Sequence, residues 1–300
     1  MKRKTKRRLI KIIIGLLILL GYMIYDNYLI NHKVNYRKED INNNSNLYIY
    51  YIDVGQANST LINDNGRYIL IDAGNALDRY KLVPYFKELG ITKFDYVIGT
   101  HAHEDHIGSM ATIIKEFELD KYYMPSYISD IVSYVKAVEE LKNKNMFVSV
   151  PKEDEEISLD NLKCIFISDG EGYEDINDTS LVLKCNYFNN SFIFMGDATS
   201  NVERNILNKD IKSDVLLVSH HGSRDATSAN FLRKVNPSYG VISVGKNNEY
   251  GLPKEVTLNK LEYLKVEVHR TDEEGTIILK SDGNNISFTN KKTNTNFEVK

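Results

Sequence analysis

The chain has 300 residues, 42% of them apolar, enough to bury one sizeable core or two small ones. Its formal net charge of −3 hides an asymmetry: seven Lys and Arg fall within residues 1–11, and the 31 basic and 41 acidic side chains that remain leave a body at −10. That body excludes the broad basic surface with which a protein grips nucleic acid along its length, so a polyanionic substrate has to be held locally.

The basic start runs into an apolar stretch from Leu9 to about Ile30, uncharged between Ile12 and Tyr25. As a helix it is long enough to cross a hydrocarbon core of roughly 30 Å, with Lys11 snorkelling back to the interface. No A-x-A-like cleavage site follows and no Cys is present for a lipid anchor. Residues 1–30 therefore read as an uncleaved signal anchor rather than a cleaved signal peptide. The preceding cations place the N-terminus in the cytoplasm and the body outside, as in a single-pass protein of the cell membrane. Residues 31–46 are polar and Asn-rich, a linker in which His32 is solvated.

From residue 47 the pattern turns to strands: 47–54, 59–63 and 67–72, the last two across the turn Asn63-Asp64-Asn65-Gly66. A helix over 76–89, stopped by Gly90, precedes a strand over 96–99. Residues 107–117 and 129–143 have helical period. Strands recur at 162–167, 180–186, 191–195, 215–219, 239–244 and 267–270, with helices about 201–207, 230–235 and 254–264 between some of them. Segments 276–280 and 285–289 form a hairpin over Asp282-Gly283, and 291–300 is a polar tail. Strands in meander, then strands alternating with helices, predict an α/β sandwich over 47–290 with two sheets inside helical layers. Cys164 and Cys185 each lie in an apolar, strand-like run without a CxxC partner, and read as buried free thiols rather than a disulfide.

The densest chemistry follows the strand at 96–99. Thr100-His101-Ala102-His103-Glu104-Asp105-His106 holds three of the chain's seven histidines, and imidazole and carboxylate are the ligands zinc and its divalent neighbours prefer. Asp197, after Phe194-Met195-Gly196, ends another apolar run; a helix cap and a metal ligand are equally good readings there. His220 and His221 end a third, in Val218-Ser219-His220-His221-Gly222-Ser223, and read as a second ligand source. Asp72, after Ile69-Leu70-Ile71, suits orientation of a ligand imidazole. His269, within a strand, reads as packed. No G-x-S-x-G, P-loop or Cys-His arrangement competes.

In this order of motifs the chain resembles the metallo-β-lactamase fold superfamily, and more narrowly the extracellular hydrolase domain of ComEC-type competence proteins, which are DNA-uptake channels. The shared stretches are Asp53-Val54-Gly55-Gln56, His101 to Gly108, Asn177-Asp178-Thr179-Ser180-Leu181, Gly196-Asp197, His220-His221-Gly222-Ser223, Ser243-Val244-Gly245 and Arg270-Thr271-Asp272 with Gly275. The resemblance covers about residues 47–280 and implies a four-layer αββα sandwich. It implies one zinc on His101 and His103, a second on Asp105 and His106, Asp197 bridging them and His221 as the remaining ligand. His220 would then stand on the substrate phosphate or leaving group, the reverse assignment of His220 and His221 being the alternative, with Asp105 and His220 the residues expected to carry catalysis. Two cations lower the pKa of a shared water and neutralise charge on the attacked oxygen.

Three positions depart from the family pattern. Residues 107–219 contain no histidine, which leaves either Asp178 in the place of a missing ligand or one metal weak or absent. Ala57-Asn58 stands where Gly-Asp is usual, so Asn58 brings an amide in place of a charged partner, and Leu252 replaces a His before Pro253. The implied function is a membrane-anchored extracellular hydrolase, using one or two zinc ions or another divalent metal such as manganese. Its expected substrates are phosphodiesters: DNA beside an uptake channel, or a phosphate-containing wall or lipid polymer. The alternatives are a non-catalytic zinc-stabilised binding module and, less favoured, a β-lactamase.

Overall fold

The computed structural model describes residues 46–291. The expected anchor at 1–30, the linker up to residue 45 and the tail beyond Lys291 lie outside the described residues. Among the described residues, no helix is long and apolar enough to cross a membrane.

Strands β1 (Leu47–Tyr51), β2 (Thr60–Asp64) and β3 (Arg67–Ile71) form an antiparallel meander. Helix α1 (Arg79–Glu88) then leads to β4 (Lys93–Ile98), which lies parallel to β3. Helices α2 (Glu104–Ile107) and α3 (Met110–Glu116), strand β5 (Glu118–Tyr123), helix α4 (Val132–Asn143) and strand β6 (Val148–Ser149) extend this parallel half. A second meander comprises β7 (Glu156–Ser158), β8 (Leu162–Ser168), β9 (Val182–Tyr187) and β10 (Asn190–Phe194). Parallel strands follow: α5 (Ser200–Ile206), β11 (Val215–Leu217), α6 (Ala229–Val235), β12 (Tyr239–Ile242), α7 (Glu255–Tyr263) and β13 (Glu267–Arg270). After α8 (Thr271–Glu274), the hairpin β14 (Thr276–Ser281) and β15 (Ile286–Lys291) returns to pair beside β1.

The strand orders are β15-β14-β1-β2-β3-β4-β5-β6 in one sheet and β13-β12-β11-β10-β9-β8-β7 in the other. Successive side chains on a strand point to opposite faces, and this two-residue period divides the apolar residues between layers. Leu47, Ile49, Tyr51, Ile69, Ile71 and Ile98 join Phe166, Leu183, Phe192 and Phe194 in the core between the sheets. Their neighbours Tyr50, Leu70 and Val97 pack under α1 to α4 with Phe86, Ile113 and Leu141. Val182, Ile193 and Leu216 pack under α5 to α7 with Val202, Phe231 and Leu261. The result is the expected four-layer αββα sandwich.

Several boundaries differ from expectation. The helix expected over 107–117 starts later, as α3 from Met110, while Ile107 ends the separate short helix α2; between them Gly108 lies where a Cβ would come 2.3 Å from Ala76 N. Strand β5 begins only one residue after α3 ends, and β6 and β7 are two and three residues long, so no turn signal or long alternation marks them. The reading of Cys164 and Cys185 as free thiols is corrected. They face each other in the β8–β9 register and form a disulfide buried between the sheets. The register of two strands, which their separate sequences do not encode, places the sulfurs together. Replacing both cysteines by serine is expected to lower unfolding free energy by about 2–4 kcal/mol. An unchanged urea midpoint would show that the bridge contributes nothing to stability.

Candidate metal centre

The chemistry gathers where parallel strands of both sheets end, the usual place for ligand-binding groups in open α/β sheets. β3 ends in Asp72, β4 runs through Gly99 and Thr100 into His101, β10 ends before Asp197, and β11 leads to His220 and His221. Asp72, His220 and His221 all have left-handed backbones, at φ 60°, 51° and 52°. Such conformations disfavour non-glycine residues and persist only where surroundings impose them. Here they are imposed by main-chain bonds: Asp72 N–H donates to Ile98 O at 2.8 Å and His220 N–H to Gly196 O at 3.1 Å. Gly222, at φ 80°, completes the turn where a Cβ would come 2.6 Å from Pro253 Cβ.

Two donor groups result, sharing Asp197: Asp105, His106, Asp197 and His221 in one, and His101, His103 and Asp197 in the other. Within each, one ligand atom per residue lies within 4.8 Å of the others. His106 Nε2 stands 3.2 Å from Asp197 Oδ1, His221 Nε2 3.2 Å from Asp105 Oδ2 and 3.8 Å from Asp197 Oδ2, and His101 Nε2 3.9 Å from Asp197 Oδ2. The outward nitrogens are fixed from behind. His106 Nδ1 meets Asp72 Oδ2 at 2.7 Å, and His221 Nδ1 meets Ser243 O at 2.8 Å. Buried His106 Nε2 and Asp197 Oδ1 make no hydrogen bond although they face each other. Two buried polar atoms left without a bond, aimed at one point, suit a divalent cation between them. The donors are all nitrogen and oxygen, which fits zinc, manganese or iron without choosing among them.

Electrostatics point the same way. Burial opposes charge on His106, but the carboxylates of Asp197, Asp72 and Asp105 outweigh it and hold its pKa well above the usual range. Burial pushes Asp197 up, yet His106, His221 and His101 bring it well below the ordinary carboxylate value. Asp105 is also lowered, against burial, by His106 and His221. Burial holds His101 well below the ordinary histidine range, keeping it neutral. A bound cation would take over the balancing role of the His106 proton.

The remaining expected site residues are placed differently. Asp178 belongs to neither group. Its carboxylate accepts from Thr199 N–H at 3.0 Å, Thr199 Oγ1 at 2.7 Å and Asn201 Nδ2 at 2.9 Å, fixing the chain just after Asp197. Asn58 acts through its main chain, its N–H donating to Asp105 O at 3.0 Å. His220 is in neither group but stands beside them, Nε2 3.7 Å from Asp197 Oδ2. His269 lies at the far edge of the second sheet, stacked on Phe288 with ring centroids 4.0 Å apart. Thr100 and Ser180 have roles their sequence positions did not reveal. Thr100 Oγ1 touches Asp72 Oδ2 at 2.9 Å and both His101 and His106 at 3.2 Å, and Ser180 Oγ accepts from Asp197 N–H at 3.1 Å. Their only signals were that Thr100 opens the run ending at His106 and that Ser180 lies in the shared stretch 177–181.

The profile of the metallo-beta-lactamase superfamily matches residues 52–246. The chain belongs to this superfamily. Among curated proteins it is 30% identical to ComE operon protein 3 of Bacillus subtilis over 248 residues, 75% of this chain and 32% of that protein. It is 25% identical to competence protein ComA of Neisseria gonorrhoeae over 81% of this chain and 33% of that protein. The ComEC-type resemblance is therefore borne out, and the chain spans about a third of the length of these relatives. Among solved structures, the metallo-beta-lactamase fold protein YhfI of B. subtilis superposes with a TM-score of 0.56 at 12% identity, covering 79% of this chain and all of that one. Igni18, a metallo hydrolase of Ignicoccus hospitalis, gives 0.55 at 18% identity, covering 78% and 98%. These likenesses establish the fold.

One group offers four protein donors and the other three, so two cations are expected to leave in separate steps during a chelator titration followed by metal analysis. His103→Ala should remove the weaker step alone. Asp72→Asn keeps a side chain that tolerates the left-handed backbone and should lower affinity of the four-donor group about 10–100-fold. Affinity should fall as pH falls, since protons compete for the imidazoles. A single step untouched by either substitution would contradict this assignment.

Proposed function

We propose that the chain is a membrane-anchored, outward-facing metal-dependent hydrolase of phosphodiesters. The observation that carries this reading is Asp197, one buried carboxylate facing two sets of imidazoles, the sharing that a paired-cation site needs. Zinc, or another divalent ion such as manganese, would be held by His101, His103 and Asp197 on one side and Asp105, His106, Asp197 and His221 on the other. When bound, such ions lower the pKa of water and neutralise charge on an attacked phosphoryl oxygen.

The chain's own residues supply position. Asp72 and Ser243 fix the rings of His106 and His221. Asp105, its side chain 30% exposed, closes the four-donor group on the open side. His220, 23% exposed, presents Nε2 to the same opening, where the phosphate or leaving group of a substrate would lie.

The ComEC-type relatives support a nucleic-acid phosphodiester and association with an uptake channel, while the body at −10 disfavours tight nonspecific duplex binding. Wall and lipid phosphodiesters are equally compatible with the site. An extracellular body agrees with the basic cluster before the apolar segment and with the buried disulfide, since disulfides persist in oxidising compartments. The three-donor group favours a second reading, a zinc-stabilised binding module without turnover.

Metal analysis of the full chain, coupled to hydrolysis of bis(p-nitrophenyl) phosphate, separates the two. The hydrolase binds two equivalents and loses turnover on Asp105→Ala; one tightly held ion with no turnover under zinc or manganese sinks it. Protease added to intact cells should digest residues 31–300, and protection of that segment would overturn the topology.

A further inference from the structure

His220 Nδ1 is buried and stands 3.3 Å from Oδ1 of Asp225, yet no hydrogen bond is formed to it. Asp225 lies in the segment 223–228 with its side chain half exposed, where a carboxylate would ordinarily hydrate and move. That segment is instead tied down along its length. Thr257 Oγ1 donates to Ser223 O at 2.8 Å, Ser200 N–H to Asp225 O at 2.9 Å, and Lys260 Nζ to Ala226 O at 3.1 Å. Glu203, with no exposed surface, accepts the N–H groups of Thr227 and of Ser228, the latter at 2.9 Å. A buried carboxylate is costly unless hydrogen-bonded, and both of its oxygens here hold one short loop. A half-exposed ion pair contributes little to stability, so stability does not account for the approach of Asp225 to His220. Nor does it account for His220 keeping a left-handed backbone beside an equally left-handed His221.

We infer that Asp225 is a positioning residue: its carboxylate, 3.3 Å away, is the group that closes on the otherwise unpartnered Nδ1–H of His220 and fixes the ring so that Nε2 faces Asp197 and the mouth of the site. The catalytic consequence rests on the hydrolase reading; the pairing itself does not.

Two measurements on the metal-loaded full chain separate them. In long-range 1H–15N spectra, His220 carries its proton on Nδ1 in the wild type, shifts toward the Nε2–H tautomer in Asp225→Ala, and keeps the wild-type pattern in Asp225→Glu. Identical spectra in wild type and Asp225→Ala would overturn the pairing. With bis-phenyl phosphate, whose leaving group is poor, Asp225→Ala should lose about 10–100-fold in kcat, with KM and bound metal within about two-fold of wild type and partial recovery in Asp225→Glu. Loss of metal, or a rise in KM alone, would assign Asp225 another role and overturn the inference. If the wild type cleaves no ester, the hydrolase reading fails while the ring spectra still decide the pairing.

Discussion

A carboxylate almost wholly shielded from water, as Asp197 is, can keep its charge only among groups that balance it. Histidines 101, 106, 220 and 221 all face it within 4 Å. That requirement organises the molecule. The first sheet must bring residues 100–106 to the end of β4, the second must bring Asp197 and the His pair to the ends of β10 and β11, and the two sheets must pack so that these ends coincide. The shared core of Ile69, Ile71, Ile98, Phe166, Leu183 and Phe194 holds them in that relation.

The centre is also where the backbone is least comfortable. Asp72, His220 and His221 occupy left-handed conformations that cost on the order of 1–3 kcal/mol each. The surrounding hydrogen bonds, from Thr100 to Asp72 and from His220 to Gly196, impose them. A chain selected for stability alone would place glycine or asparagine at such corners. Retaining imidazoles there is consistent with a site whose ligand directions matter more than local comfort.

Much of this was legible beforehand because it depends on near neighbours. The apolar runs before Asp72, His101, Asp197 and His220 announced strands, and a dense cluster of imidazole and carboxylate announced a cation site. The illegible parts each depend on something distant. Strand β5 has only its last two residues fully buried, and it pairs with β4 and β6 without any hairpin signal. The need for a residue without a side chain at Gly108 follows from the approach of Asn75 and Ala76, thirty-odd residues earlier. Asp178 looked like a ligand in waiting because it lies in a polar motif, but the N-terminus of α5 takes its carboxylate. Asp225 follows the His pair by a few residues and carried no signal at all, since its meaning lies in a loop held by Glu203.

By itself, then, the sequence determined the layer architecture and the residue types at the centre, because periodicity and ligand chemistry are local properties of the chain, and its ordered motifs carried the resemblance to the superfamily. Tertiary structure alone decided that Cys164 and Cys185 are bonded, that Asp197 is common to two donor groups, that Asp178 holds the Thr199 cap of α5, and that Asp225 faces His220. Each of those outcomes turns on a few ångströms between segments far apart in sequence, set by strand register and sheet packing.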